Sequence, residues 1–180
     1  MIYVFIANGF EEIEALSVVD ILRRAGSDVK IVGVGSNDIV GAHGINVIAD
    51  IEQSNITFDG LEAIVLPGGM PGTLNLKKSQ IVKDCINYCF NNNKYIAAIC
   101  AAPLILGNMS LLNDRQAVCY PGFEGELIGA QVKDTSLCVD KNIITAKGPG
   151  ASLDFAFKIV EVVYGYKKLL DIKDSMQCTL

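Results

Sequence analysis

Of the six cysteines in this sequence, at 85, 89, 100, 119, 138 and 178, Cys100 has the surroundings of a reactive group. It closes the run Ala97-Ala98-Ile99-Cys100-Ala101-Ala102-Pro103, in which small strand-forming residues pass at once into a helix start. That is the pattern of a nucleophile elbow, with cysteine in the serine position and alanines leaving room for a tight turn. A thiol at a helix N-terminus meets free N–H groups and the positive end of the dipole. Its pKa is then expected to fall to roughly 3.5–7.5, leaving it largely ionised at neutral pH. The N–H groups of Ala101 and Gly69 are the candidate oxyanion hole, where each donor typically contributes about 2.7–4 kcal/mol to a transition state.

Two other segments carry polar chemistry. Asn8-Gly9-Phe10-Glu11-Glu12-Ile13-Glu14 places three carboxylates at the start of a helix, and at least two are expected only to complement its dipole. Pro67-Gly68-Gly69-Met70-Pro71-Gly72 lets backbone N–H groups approach a ligand without an intervening Cβ, although a plain tight turn would read the same. No GxxxxGK[ST] follows, so a phosphate loop is not supported. The competing reading of Cys100 is a small buried hydrophobe. Cys85 and Cys89, four apart on one helix face, fit that description better.

The elements that must position these residues alternate between short β-branched runs and amphipathic stretches, the signature of βαβ units around a mostly parallel sheet covered on both faces. Strands are predicted at Ile2–Ala7, Val29–Val34, Ala63–Leu66, Tyr95–Ile99, Ala117–Tyr120 and Ile143–Ala146, with Ser136–Val139 pairing the last across Asp140-Lys141-Asn142. Helices are predicted over Glu11–Ala25, stopped by Gly26, and over Gln80–Asn91, Ala102–Met109 and Ser152–Tyr164, the last with Ser152 as its N-cap. The tail Lys167–Leu180 reads as a short final helix with a frayed end. In open sheets of this kind the reactive crevice lies at the carboxyl ends of the strands, where all three unusual loops fall.

Composition narrows the function classes. With 180 residues, one α/β domain over 1–180 is expected, large enough to need no metal or disulfide for its stability. A hydrophobic share of 51% without a bilayer-length apolar run argues against a membrane role. Met1 leads straight into the apolar alternation of the first strand, with no basic leader, which predicts a cytoplasmic protein with free thiols. A net charge of -5 with scattered lysines gives no footprint for specific nucleic-acid binding. His43 is the only histidine, which excludes multi-histidine metal sites. No motif calls for a cofactor.

Taken together, Glu11-Glu12-Ile13-Glu14, Val19-Asp20 with Arg23-Arg24-Ala25-Gly26, Leu66-Pro67-Gly68-Gly69, the Cys100 run, and Gly148-Pro149-Gly150 followed by Ser152, Phe155 and Ala156 resemble the ThiJ/PfpI superfamily. Within it they are most similar to the branch of the parkinsonism-associated protein deglycase (DJ-one) and its bacterial relatives. The resemblance runs over nearly the whole chain. It implies a flavodoxin-like three-layer sandwich, related to the class I glutamine amidotransferase fold, and a homodimer. It also implies Cys100 as the nucleophile and Glu14 as its protonated partner and proton shuttle.

The activity implied is that of a glutathione-independent glyoxalase or a deglycase. Its substrates would be methylglyoxal, glyoxal, or their adducts on protein or nucleotide, attacked by the Cys100 thiolate as a lyase or hydrolase. The alternative is a non-enzymatic redox sensor or stress chaperone that uses oxidation of Cys100. Some relatives carry histidine where Cys119-Tyr120-Pro121 stands here, making Tyr120 the candidate donor in its place. Protease-like members place histidine directly after the nucleophile, where this chain has Ala101. Glutamine amidotransferases need one downstream of it, whereas His43 lies upstream. Neither peptidase nor amidotransferase chemistry fits.

Overall fold

The strand β1 (Ile2–Ile6) is apolar and buried at every position because both of its faces are covered. Ile2, Val4 and Ile6 pack on one side with residues of α1 (Glu12–Arg24), α5 (Ser152–Tyr164) and α6 (Tyr166–Ser175). Tyr3 and Phe5 pack on the other with α3 (Gln80–Asn91) and α4 (Pro103–Asn108). The alternation follows from the two-residue period of a strand. A computed structural model describes residues 1–178 and shows the expected α/β flavodoxin-like sandwich.

The remaining elements, in chain order, are β2 (Val29–Gly33), β3 (Asp38–Val40), β4 (Asn46–Ile48), β5 (Ile51–Glu52), β6 (Ala63–Leu66), α2 (Gly72–Lys78), β7 (Tyr95–Ile99), β8 (Gln116–Ala117), β9 (Gln131–Val132), β10 (Leu137–Asp140) and β11 (Ile143–Ala146). The central sheet has the order β10-β11-β7-β6-β1-β2-β5. All its neighbours are parallel except β10, which pairs antiparallel with β11. The chain leaves β1 toward β2 and later returns on the other side as β6. The loops after β1 and β6 therefore diverge and open a crevice at the carboxyl ends of the strands. Cys100, at the end of β7, enters from the next strand along.

The hairpin of β10 and β11 and the helices α3 and α5 lie where the sequence places them. Helix α1 stops as Gly26 predicts: Gly26 adopts φ +80, and Ser27 N–H reaches back to the Leu22 carbonyl at 3.1 Å. Several expectations need correction. Ala117–Tyr120 is not a strand of the central sheet. Only Gln116–Ala117 is a strand, paired with β9 in a separate two-stranded sheet. Beyond it the Thr145 hydroxyl captures Val118 N–H at 3.0 Å and the Cys100 carbonyl captures Tyr120 N–H. Ser152 does not cap α5 but is its first residue, and its hydroxyl is spent on the Pro149 carbonyl at 2.7 Å. The final helix ends at Ser175, and residues 179–180 of the predicted tail lie outside the described residues. Five elements among the described residues go beyond the sequence expectation: α2, which follows a glycine-rich loop, and the short strands β3, β4, β5 and β9.

Candidate active site

Cys100 turns the chain out of β7 with φ +64, a left-handed conformation that costs a residue bearing a Cβ about 1–2 kcal/mol. Two backbone hydrogen bonds hold it there. Cys100 N–H donates to the Ala146 carbonyl at 2.9 Å, and the Cys100 carbonyl accepts from Tyr120 N–H at 2.8 Å. The elbow read from the sequence is therefore present, and α4 begins three residues later at Pro103.

The sulfur faces a slot that only glycine leaves open. A Cβ on Gly68 would lie 2.7 Å from the Cys100 Cβ, 3.0 Å from its Sγ and 2.8 Å from Glu14 Oε2. Sulfur and carboxyl thus converge on the same point. Glu14 is fully buried; its Oε2 accepts Gly68 N–H at 2.7 Å, while Oε1 has no partner. Gly69 follows with φ +86, and its N–H and that of Ala101 favour the charged form of the Cys100 sulfur.

The electrostatics overturn one expectation. Burial pushes the Glu14 carboxyl up to about 7, with the nearby Glu11 charge adding to the rise and the Gly68 N–H and Cys100 opposing it. Burial also pushes the Cys100 thiol up to about 12; the charge of Glu14 adds to this, and the N–H groups of Ala101 and Gly69 only partly offset it. The helix-terminus effect does not win, because α4 has six residues and the sulfur sits in a desolvated slot beside a carboxylate. Between the two titrations the pair holds a single proton that belongs to both groups. When that proton rests on Glu14, the sulfur is a thiolate facing two N–H donors.

The other acidic residues divide. Glu12 does more than complement the helix dipole. Its buried carboxylate accepts His43 N–H at 2.7 Å, bonds His43 Nδ1 at 2.9 Å and accepts Ile45 N–H at 3.4 Å, which ties the β3–β4 connection to α1. These contacts hold the Glu12 carboxyl below its ordinary value despite burial. Glu11, Glu12 and His43 bring ligand-type atoms within 4.8 Å of one another, but Glu12 is already saturated by the hairpin.

Tyr120 is pinned to the elbow through its backbone. Its half-exposed ring lies against Gly148, where a Cβ would come within 3.0 Å of Cδ2. It borders a cavity of about 310 Å³ with Pro121, Lys147, Pro149 and Asp154. Cys85 and Cys89 are fully buried core residues, as expected. Gly68 is the residue that sequence reasoning passed over. The doubled glycine marked a close approach without saying that the first glycine is the floor between sulfur and carboxyl.

Comparison with known proteins points to one family. The model of the DJ-1/PfpI family matches residues 1–162. Protein DJ-1 homolog B of Arabidopsis thaliana is 34% identical over 174 residues, covering 95% of this chain and 40% of that protein. The chain thus spans less than half the length of this plant relative. The Glutathione-independent glyoxalase DJR-1.2 of Caenorhabditis elegans is 28% identical over 160 residues, covering 88% of this chain and 85% of that one. Among solved structures, oxidized Toxoplasma gondii DJ-1 superposes with a TM-score of 0.94 at 32% identity, covering 99% and 98% of the two chains.

Proposed function

This chain belongs to the DJ-1/PfpI family, and from that premise we propose that it is a cysteine-dependent, glutathione-independent glyoxalase or deglycase. Its substrates are methylglyoxal, glyoxal or their adducts on protein or nucleotide. The observation that carries this reading is the convergence of Cys100 Sγ and the Glu14 carboxyl on the Gly68 slot. The name of the nematode relative supports it.

With methylglyoxal, the thiolate form of the pair attacks the aldehyde carbon, forming a C–S bond while the carbonyl π electrons move to oxygen. Gly69 and Ala101 are the donors for that oxyanion, which then takes the proton of Glu14. The resulting Glu14 carboxylate removes the hydrogen of the same carbon as a proton. The electron pair moves into an enediol, and return of the proton to the neighbouring carbon leaves a lactoyl thioester. Water cleaves this ester to lactate and restores the thiol. The overall change is addition of one water to methylglyoxal, with one carbon oxidised and its neighbour reduced. Tyr120, beside the elbow, is the candidate group to orient the rest of the substrate.

A homodimer accompanies this reading. Ile13, Leu16 and Ile45 share one depression, in which Ile13 and Ile45 are half-exposed, and light scattering should return twice the chain mass. The same thiol supports a second reading, a redox sensor or stress chaperone. The unpartnered Glu14 Oε1 and the two N–H groups could serve the oxygens of a Cys100 sulfinate, and a relative has been solved in an oxidized form. The deciding experiment is methylglyoxal consumption with lactate detection, on metal-free protein without glutathione, for wild type and Cys100→Ser. Turnover in wild type alone supports the enzyme. No turnover in either, with selective peroxide oxidation of Cys100, supports the sensor.

A further inference from the structure

The helices α2 and α4, which lead away from the Gly68–Gly69 loop and the Cys100 elbow, enclose a separate groove of about 610 Å³ together with the start of α3. Its apolar surface is Leu74, Ile105 and Met109, and its polar rim is Lys77, Lys78, Lys83 and Asn108. Among the described residues none of these three lysines is ion-paired, a state they share with Lys94, Lys133, Lys141, Lys167, Lys168 and Lys173; what sets them apart is that all three border one groove. Two carboxylates accept hydrogen bonds beside it and keep their charge: Asp84, next to Lys83 in sequence, accepts from Gln80 at 2.8 Å, and Glu126 accepts from the rim residue Asn108 at 3.0 Å.

The helix dipole explains two of the lysines and not the third. Lys77 and Lys78 lie in the last turn of α2, where a cation is favoured. Lys83 lies in the first turn of α3, which holds no acidic residue, so the positive end of that dipole opposes it. Three ammonium groups without an ion-pair partner and a positive helix end therefore border one groove, against two carboxylates, in a chain whose net charge is -5. Leu74, 41% exposed, leaves apolar surface open beside them. The volume falls within the range of roughly 300–1,000 Å³ typical of small-molecule sites.

We propose that this groove binds a small aliphatic carboxylate, its head among Lys77, Lys78 and Lys83 and its body along Leu74 and Met109 toward α4. The charges select the sign of the head and the apolar floor requires the body. The site is independent of the dicarbonyl reading, since none of its residues belongs to the Cys100 cluster.

The test uses the whole protein, titrated with decanoate below its micelle concentration and followed by calorimetry and by amide shifts of Leu74, Lys83 and Asn108. Decylammonium and acetate are the controls for charge and for body. Decanoate should bind, decylammonium and acetate should not, and the triple change Lys77→Gln, Lys78→Gln, Lys83→Gln should weaken decanoate by at least about tenfold. Lys83→Glu alone keeps the test intact if the triple variant fails to fold, and should also weaken binding. Absence of decanoate binding, equal binding of decylammonium or acetate, or unchanged affinity in a folded lysine variant would overturn the proposal.

Discussion

Cys89 in α3 and Cys100 at the end of β7 have thiols pushed to the same height, about 12, and for the same leading reason, burial. Their neighbours differ. Around Cys89 the further influences are another buried thiol, Cys85, and the charge of Lys94. Around Cys100 stand two N–H groups and a carboxyl that itself titrates near 7. A high thiol pKa alone does not separate an inert cysteine from a nucleophilic one. The difference is whether a partner can take the proton at modest cost and whether donors wait for the charge that remains.

The sharpest way to break this comparison is to remove each sulfur in turn. Cys100→Ser should lower methylglyoxal turnover by at least about 10³-fold with the fold intact, and Cys89→Ala should leave turnover within about twofold. Loss of activity in the Cys89 variant alone would dissolve the distinction. A subtler break is Gly68→Ala, which keeps the N–H that Glu14 accepts but puts a methyl 2.7 Å from the Cys100 Cβ and 2.8 Å from Glu14 Oε2. Forcing the pair apart by a fraction of an ångström to about 1 Å should lower kcat by roughly 10²-fold. Wild-type kinetics in that variant would mean that sulfur and carboxyl need not meet.

How much of this was legible in the sequence depends on whether a residue acts through its own backbone or through a distant one. The elbow was legible because Ala97-Ala98-Ile99-Cys100-Ala101-Ala102-Pro103 encodes strand, turn and helix start locally, and β7 lies where it was read. Glu14 was not separable from Glu11 and Glu12 by spacing. What distinguishes it is the Gly68 N–H, 54 residues away in sequence, and only the family resemblance pointed to it. The role of Glu12 is hidden for the same reason, since its partners His43 and Ile45 sit on a hairpin that no periodicity announces. The ionisation of Cys100 was misjudged because a sequence shows the helix that follows but not the burial that outweighs it.

The carboxyl half of the site can be sharpened through pH. Below about 4.5 Glu14 is protonated in both folded and unfolded chains and contributes nothing to the difference. As pH rises toward about 7 only the unfolded chain ionises freely, so the folded state loses stability across that window, and above it the loss is complete. Glu14→Gln removes this term. It should therefore be more stable than wild type by up to about 3 kcal/mol at pH 8 and close to it at pH 4.5, measured by urea unfolding at both values. The same variant should lose the acid limb that wild-type kcat/KM shows near pH 7, and turn over about 10²–10⁴-fold more slowly. Equal stability at pH 8 would mean that the carboxyl is not held against its charge.

The smallest effect tests the inert side of the comparison. Cys89 is fully buried on the face of α3 that packs against the sheet, in a cluster with Cys85, Ile86 and Ile96. Cys89→Ser replaces a weakly polar thiol by a hydroxyl of similar size in an apolar setting. A helical serine can turn its hydroxyl to a carbonyl of the preceding turn, which limits the penalty to about 1–3 kcal/mol of stability. Urea unfolding should show that loss with an unchanged m value, while turnover and the pH profile stay those of wild type. A change in the pH profile would show that α3 communicates with the Cys100–Glu14 proton. A loss of stability alone would confine reactivity to the elbow, where the surrounding donors and carboxyl, not the depth of burial, make a thiol reactive.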